Sequence, residues 1–244
     1  MTTIEGNLQQ VRERVARACA AAGRDVKTVT LLAVSKTFGP DDVAAAVAAG
    51  QRAFGENYIQ EGVEKVLAMR ALLPGQTLEW HCIGPVQSNK TRLVATHFDW
   101  VHSVDRLKIA QRLSEQRPED RAPLQVCLQV NVDGGANKSG VAPDELPALA
   151  HAVAALPRLR LRGLMCIPEP SEDPMVQRSA FRQVRGLQQG LVDQGLSLDV
   201  LSMGMSDDLE PAVAEGSTMV RVGRAIFGHR PRKEPVTASA AGSA

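Results

Sequence analysis

The sequence predicts an α/β chain folded as a single (β/α)8 barrel of the TIM type, with an extra helix at its N-terminus. Three observations lead there. Eight short apolar runs alternate with amphipathic stretches, the pattern of a parallel sheet with helical crossovers. Eight such units occupy about 230 residues, a usual length for a closed barrel. The structural alternative is an open doubly wound sheet, but no G-x-G-x-x-G follows the first run to mark a dinucleotide fold.

The elements follow in order. Ile4, Leu8, Val11, Val15 and Cys19 recur at three- and four-residue intervals, so the chain opens on a helix. The eight strand candidates are VTLLAVS (29–35), RAFGE (52–56), EWHCIG (79–84), WVHSV (100–104), LQVCLQVNV (124–132), RLRGLMCI (160–167), LDVLSMG (198–204) and TMVRVG (218–223). Helical stretches such as PDDVAAAVAAG and QEGVEKVLAMRAL separate them. Pro40 suits a first helical turn and Gly50 closes the same helix, while Ser206 with Asp207 and Asp208 reads as a helix cap with favourable charge. Residues 1–230 are expected to form one barrel domain. The remainder, 231–244, is rich in Ala, Ser and Pro without a periodic apolar face and is expected to be a flexible tail.

Composition narrows the function. A net charge of +1 gives neither nucleic acid nor an anionic membrane a reason to bind, and 3% aromatic content removes the stacking platforms of single-strand binders. The four cysteines are scattered, with no C-x-x-C and no histidine at metal-ligand spacing, so no metal is expected and a reducing compartment fits. The stretch MTTIEGNLQQVRERVARACAAAG has no long apolar core, which makes the cytoplasm the default location.

In a parallel barrel the ligand site lies at the carboxyl ends of the strands, and the chemically suggestive residues gather there. Lys36 follows strand 1. Desolvation at a barrel mouth would lower its pKa toward a nucleophilic amine able to form a Schiff base, the alternative being a lysine that snorkels to water. Met203 to Ser206 follow strand 7, and Gly223 and Arg224 follow strand 8, where barrels often bind phosphate through backbone N–H groups; plain tight turns would also use these glycines. Arg221 lies within strand 8, where an inward side chain needs an acceptor: a ring nitrogen, a ligand carboxylate or an acidic neighbour. Asn57 could position a ligand or cap a helix, Lys138 could be solvated, and His81 and His102 each read as ordinary core histidines.

Together the segments LLAVSKT, FGENYIQE, WHCIGPVQSNK, VNVDGGANKSG, LRGLMCI and LSMGMSDDLEPAVAEGSTMVRVG make the chain resemble the pyridoxal-phosphate homeostasis proteins. This YggS/PROSC family binds pyridoxal 5'-phosphate (PLP), and the likeness runs from residue 31 to about 228. The resemblance implies a barrel like the N-terminal domain of alanine racemase, with PLP carried by Lys36 as an internal aldimine. It implies phosphate binding at Ser206, Gly223 and the backbone amides that follow, with Arg221 facing the pyridine nitrogen. Met203 and Asn57 are expected alongside them. Arg224 departs from the family, which usually has Thr or Ser there: a hydroxyl contact would be lost, and the guanidinium would pair with the phosphate or turn to solvent.

An arginine against the pyridine nitrogen disfavours its protonation and weakens the ring as an electron sink. Tyr58, the only tyrosine, has no evident claim to the second-base role that a racemase needs. The expected function is therefore a non-catalytic PLP carrier or regulator in vitamin B6 homeostasis, passing cofactor to PLP-dependent apo-enzymes and acting as a monomer. The alternative is a PLP-dependent racemase or decarboxylase of weak activity. A cofactor-free Schiff-base aldolase would explain Lys36 but not the two phosphate-like loops.

Overall fold

The computed structural model describes residues 3–134 and 139–228; Lys138 and the 231–244 tail lie outside the described residues. Eight strands, β1 (Thr30–Val34), β2 (Ala53–Glu56), β3 (Glu79–Cys82), β4 (Trp100–Val104), β5 (Leu124–Gln129), β6 (Leu159–Met165), β7 (Val200–Ser202) and β8 (Met219–Val222), run parallel in sequence order. The sheet closes where β1 meets β8 in the register Leu32↔Arg221 and Ala33↔Val222, so the barrel is the observed topology.

Several strands are shorter than their apolar runs. The third ends at Cys82, and the loop then packs so closely that a Cβ at Gly84 would lie 2.0 Å from the Asn57 carbonyl oxygen. Helix α2 (Pro40–Ala48) starts at the expected proline and ends before Gly50, whose φ is +85°. Helices α3 (Ile59–Leu72), α4 (Thr91–His97), α5 (Leu107–Gln116), α6 (Leu146–Ala154) and α7 (Pro174–Asp193) cover the outside of the barrel. The last crossover departs from expectation. Helix α8 (Leu209–Ala214) starts three residues after Ser206, because the Met205 N–H donates to Asp208 Oδ1 at 2.5 Å and the two residues close a turn first. Ser206 is thereby left in the loop rather than at the helix cap.

Helix α8 and the terminal α9 (Arg224–Phe227) are short, and α1 (Ile4–Ala21) packs against both. Leu8, Val11, Val15 and Cys19 are its buried face, as their spacing predicts. Asn7 Nδ2 donates to the Ile226 carbonyl at 2.9 Å, tying this helix to α9.

Because alternate strand residues face opposite sides, two interiors form. Ala33, Phe54, Val101, Val126, Leu164 and Val220 face the helices in one continuous apolar core. Inside the barrel lie two small apolar clusters, Leu32, Val34, Ala53, Ile83 and Met219 on one side and Trp100, Cys127, Met165 and Val200 on the other. His81, His102, Ser202 and Arg221 share that interior and are buried.

Candidate functional site

A cavity of 630 Å³ opens at the carboxyl ends of β1, β7 and β8, with Lys36, Phe38, Met205, Ser206, Gly223 and Arg224 on its wall. Lys36 is half-buried there. The backbone beside it is tightly held. Thr37 has φ +69°, an unfavourable conformation for a β-branched residue, and its N–H donates to Glu61 Oε1 at 2.5 Å. Ser35 N–H donates to the Gly55 carbonyl at 3.0 Å, while the Ser35 carbonyl accepts from Lys65 Nζ at 2.7 Å. Lys65 in turn pairs with Glu56 at 2.6 Å, and both side chains are almost wholly buried. Burial pushes the Glu56 carboxyl above its usual range against the opposing pull of Lys65.

Across the cavity from Lys36, the loop leading into the wall passes through a glycine in a left-handed, crowded position, and a second glycine on the wall has little room for a side chain. Gly204 has φ +94°, and a Cβ there would lie 2.5 Å from the Ala212 Cβ; a Cβ at Gly223 would lie 3.1 Å from the Val34 carbonyl oxygen. The Gly204 carbonyl accepts from Arg221 N–H at 2.9 Å, and Arg14 Nη1 donates to the Ser206 carbonyl at 2.6 Å. The 204–206 loop is thus anchored from behind. The start of α9 adds backbone N–H groups with no intrahelical acceptor. Arg224 pairs with Asp207 at 2.9 Å, both side chains being largely exposed, so its guanidinium offsets a carboxylate on the cavity wall. An anion entering the cavity therefore meets less repulsion than Asp207 alone would exert.

Arg221 is buried inside the barrel, two residues before Gly223, and burial pulls its pKa below the usual value. Its acceptors are not carboxylates. Nη1 donates to the Ser202 carbonyl at 2.5 Å and to Ser202 Oγ at 2.9 Å, and Nη2 donates to the Cys166 carbonyl at 2.9 Å. Of the five N–H groups in the fork, two are left without an acceptor among the described residues.

The two histidines, expected to be separate core residues, are 2.9 Å apart between His81 Nδ1 and His102 Nε2. Ser202 and Glu79 extend the contact in either direction; sequence reading had singled out neither. Asn57 is half-buried in the loop after β2 and is not on the cavity wall. Met203 is also displaced from its expected place: it is completely buried among the outer-core residues, and Met205 lines the cavity instead. Tyr58 is 54% exposed and is not on that wall. No cluster of three or more potential metal ligands occurs among the described residues.

The arrangement therefore offers a primary amine for a carbonyl carbon, glycine-bearing loops for a compact anion, and a buried cationic donor for a neutral acceptor. The model of the alanine racemase N-terminal domain matches residues 6–231. The chain is 59% identical to the pyridoxal phosphate homeostasis protein of Pseudomonas aeruginosa, over 97% of this chain and all of that one. It is 53% identical to the Escherichia coli K12 protein of the same name, covering 94% and 98% of the two chains. Among solved structures, PipY of Synechococcus elongatus with PLP bound superposes with a TM-score of 0.81 at 37% identity, covering 93% of this chain and all of that one. By sequence and fold alike, the chain belongs to the pyridoxal phosphate homeostasis protein family.

Proposed function

We propose that this protein binds PLP and serves intracellular PLP homeostasis, with Lys36 holding the cofactor's aldehyde carbon as a Schiff base. The observation that carries the reading is that Lys36, Ser206 and Gly223 share one cavity although 187 residues separate the first from the last. The residues fit the group. Gly223 and the start of α9 present backbone N–H groups on the cavity wall for a phosphate, and Ser206 adds a hydroxyl. Arg221 retains donors for an unprotonated ring nitrogen, and Thr37 Oγ1, next to Lys36, is buried without a partner among the described residues.

PLP when bound supplies an electrophilic carbon and an electron-withdrawing ring. The chain's own residues favour holding over turnover. A donor-only guanidinium against the ring nitrogen opposes its protonation, which limits carbanion stabilisation. Tyr58 is exposed in the loop after β2, away from the cavity, so no tyrosine stands ready as a second base. We infer a carrier that delivers cofactor to PLP-dependent apo-enzymes, monomeric and cytoplasmic. No helix among the described residues is long and apolar enough to cross a membrane.

The test is spectroscopic. Protein incubated with PLP and desalted should be yellow, with an imine band that borohydride removes and that Lys36→Ala abolishes. Ser206→Ala should weaken retention, and unphosphorylated pyridoxal should bind far less tightly than PLP. A colourless protein after reconstitution would sink the reading. Multiple turnovers with any member of an amino-acid panel would replace the carrier with the racemase or decarboxylase.

A further inference from the structure

The barrel interior holds a continuous line of polar groups that the site as described does not use. Glu79 Oε1 lies 2.8 Å from His81 Nε2, His81 Nδ1 lies 2.9 Å from His102 Nε2, and His102 Nδ1 lies 2.8 Å from Ser202 Oγ. Ser202 Oγ then meets Arg221 Nη1 at 2.9 Å. Both rings are completely buried, and the line runs from the half-exposed Glu79 at the start of β3 to Arg221 in β8.

With one proton on each ring, the Glu79 end sets the direction of the line. A carboxylate only accepts and a guanidinium only donates. The bond from His81 keeps the Glu79 carboxyl below its usual range, so that end is an anion and His81 Nε2 must carry the proton it donates. With that single proton on Nε2, His81 accepts at Nδ1, which makes His102 Nε2 the donor and leaves His102 Nδ1 as an acceptor. That nitrogen takes the Ser202 hydroxyl proton, so the Ser202 oxygen presents its lone pairs to Arg221. The donation from Arg221 to the Ser202 oxygen is compatible with this assignment. Burial holds the His102 pKa well below its ordinary value, in keeping with a neutral ring. Protonating both rings at once would set His81 Nδ1–H against His102 Nε2–H.

We propose that Glu79, His81, His102 and Ser202 form a one-directional hydrogen-bond relay, and that His102 and Ser202 are positioning residues that aim the two uncommitted Arg221 donors at the ring nitrogen of the bound cofactor. This role rests on the PLP reading above; the direction of the relay does not. Without His102 the Ser202 hydroxyl is free to rotate, and without the Ser202 oxygen the guanidinium loses one of its three contacts. Hydrogen bonds that polarise one another in a low-dielectric interior hold their members more firmly than isolated ones.

The experiment has a cofactor-free arm and a loaded arm. In the apo-protein, nitrogen-15 NMR of the imidazoles should find both His81 and His102 as Nε2–H tautomers; a neutral Nδ1–H form or a charged ring at either position near neutral pH overturns the relay. In the loaded protein, ring-labelled [15N]PLP reports the pyridine nitrogen directly. Ser202→Ala and His102→Leu should each move that resonance and speed PLP release roughly tenfold, the effect of losing one charge-assisted hydrogen bond, while Ser202→Thr should restore both. Folded variants that keep the wild-type resonance and release rate overturn the positioning role. If the Ser202→Thr methyl group does not fit, His102→Asn, which keeps an acceptor near the Nδ1 position, serves as the rescue under the same criteria. A wild-type protein that takes up no PLP overturns the cofactor reading and the positioning role with it, while the tautomers decide the relay by themselves.

Discussion

The space between sheet and helices is filled by one continuous apolar cluster, whereas the space inside the barrel is split between two small apolar clusters and a line of polar groups. The two regions are formed by alternate residues of the same strands, so a one-residue step along β7, from Leu201 to Ser202, passes from one to the other. The contrast separates two duties. Apolar burial in the outer layer supplies stability, at about 25 cal/mol per Å² removed from water. The interior exchanges part of that yield for buried hydrogen-bonding groups, paired along the line as far as Arg221, which keeps two N–H groups without an acceptor among the described residues.

The largest expected effect therefore belongs to the outer layer. Phe181 on α7 is completely buried, and Phe181→Ala should cost about 3–5 kcal/mol of unfolding free energy. Urea unfolding checks the cost, and the folded fraction should retain PLP with an unchanged absorption band. An altered band would mean that the outer layer also tunes the site, and the division of duties would fail.

The buried pair Lys65–Glu56 blurs the comparison, since it places two charges behind the apolar layer and beneath the Lys36 backbone. Lys65→Met leaves Glu56 uncompensated and should cost about 3 kcal/mol near neutral pH. The pH dependence has a definite sign. Burial already raises the Glu56 carboxyl above its unfolded value, and removing the opposing Lys65 charge raises it further. A carboxyl with a raised folded pKa binds its proton more tightly in the native state, so stability falls as pH rises through and above the ordinary glutamate range. The penalty of Lys65→Met should therefore be smaller at pH 5 than at pH 8. Equal penalties at both would show that the pair acts through packing alone.

These contrasts bear on what the sequence discloses. Lys36 and the 204–206 and 223–224 loops were legible because their signals are local: a strand end, a glycine pattern, a position at the barrel mouth. The alternation that excludes Met203 from the cavity is equally local; with Ser202 facing inward, Met203 must face the helices and Met205 returns to the mouth. The relay was not legible. His81 and His102 lie 21 residues apart and Ser202 lies 100 residues beyond His102, so each looked like a lone buried polar residue until barrel closure brought them together. Strand lengths were overread for a related reason, as Ile83 remains apolar and buried after β3 has ended.

The smallest effect is expected at Arg224. Its partner Asp207 is 83% exposed, and an ion pair between two exposed side chains contributes about 0–1 kcal/mol. Arg224→Ala should leave unfolding within that range and leave the imine band in place. Its electrostatic consequence is more specific than its stability effect, because Asp207 then stands on the cavity wall with its charge uncompensated by Arg224. PLP affinity should fall a few-fold at low ionic strength and recover toward wild type as added salt screens the carboxylate over about 10 Å at 0.1 M. A direct bond from Arg224 to the phosphate would give a larger loss with Arg224→Ala and no recovery with salt. Asp207→Asn in the same background decides the matter, since removing the carboxylate should restore affinity only if Arg224 acts by neutralising it.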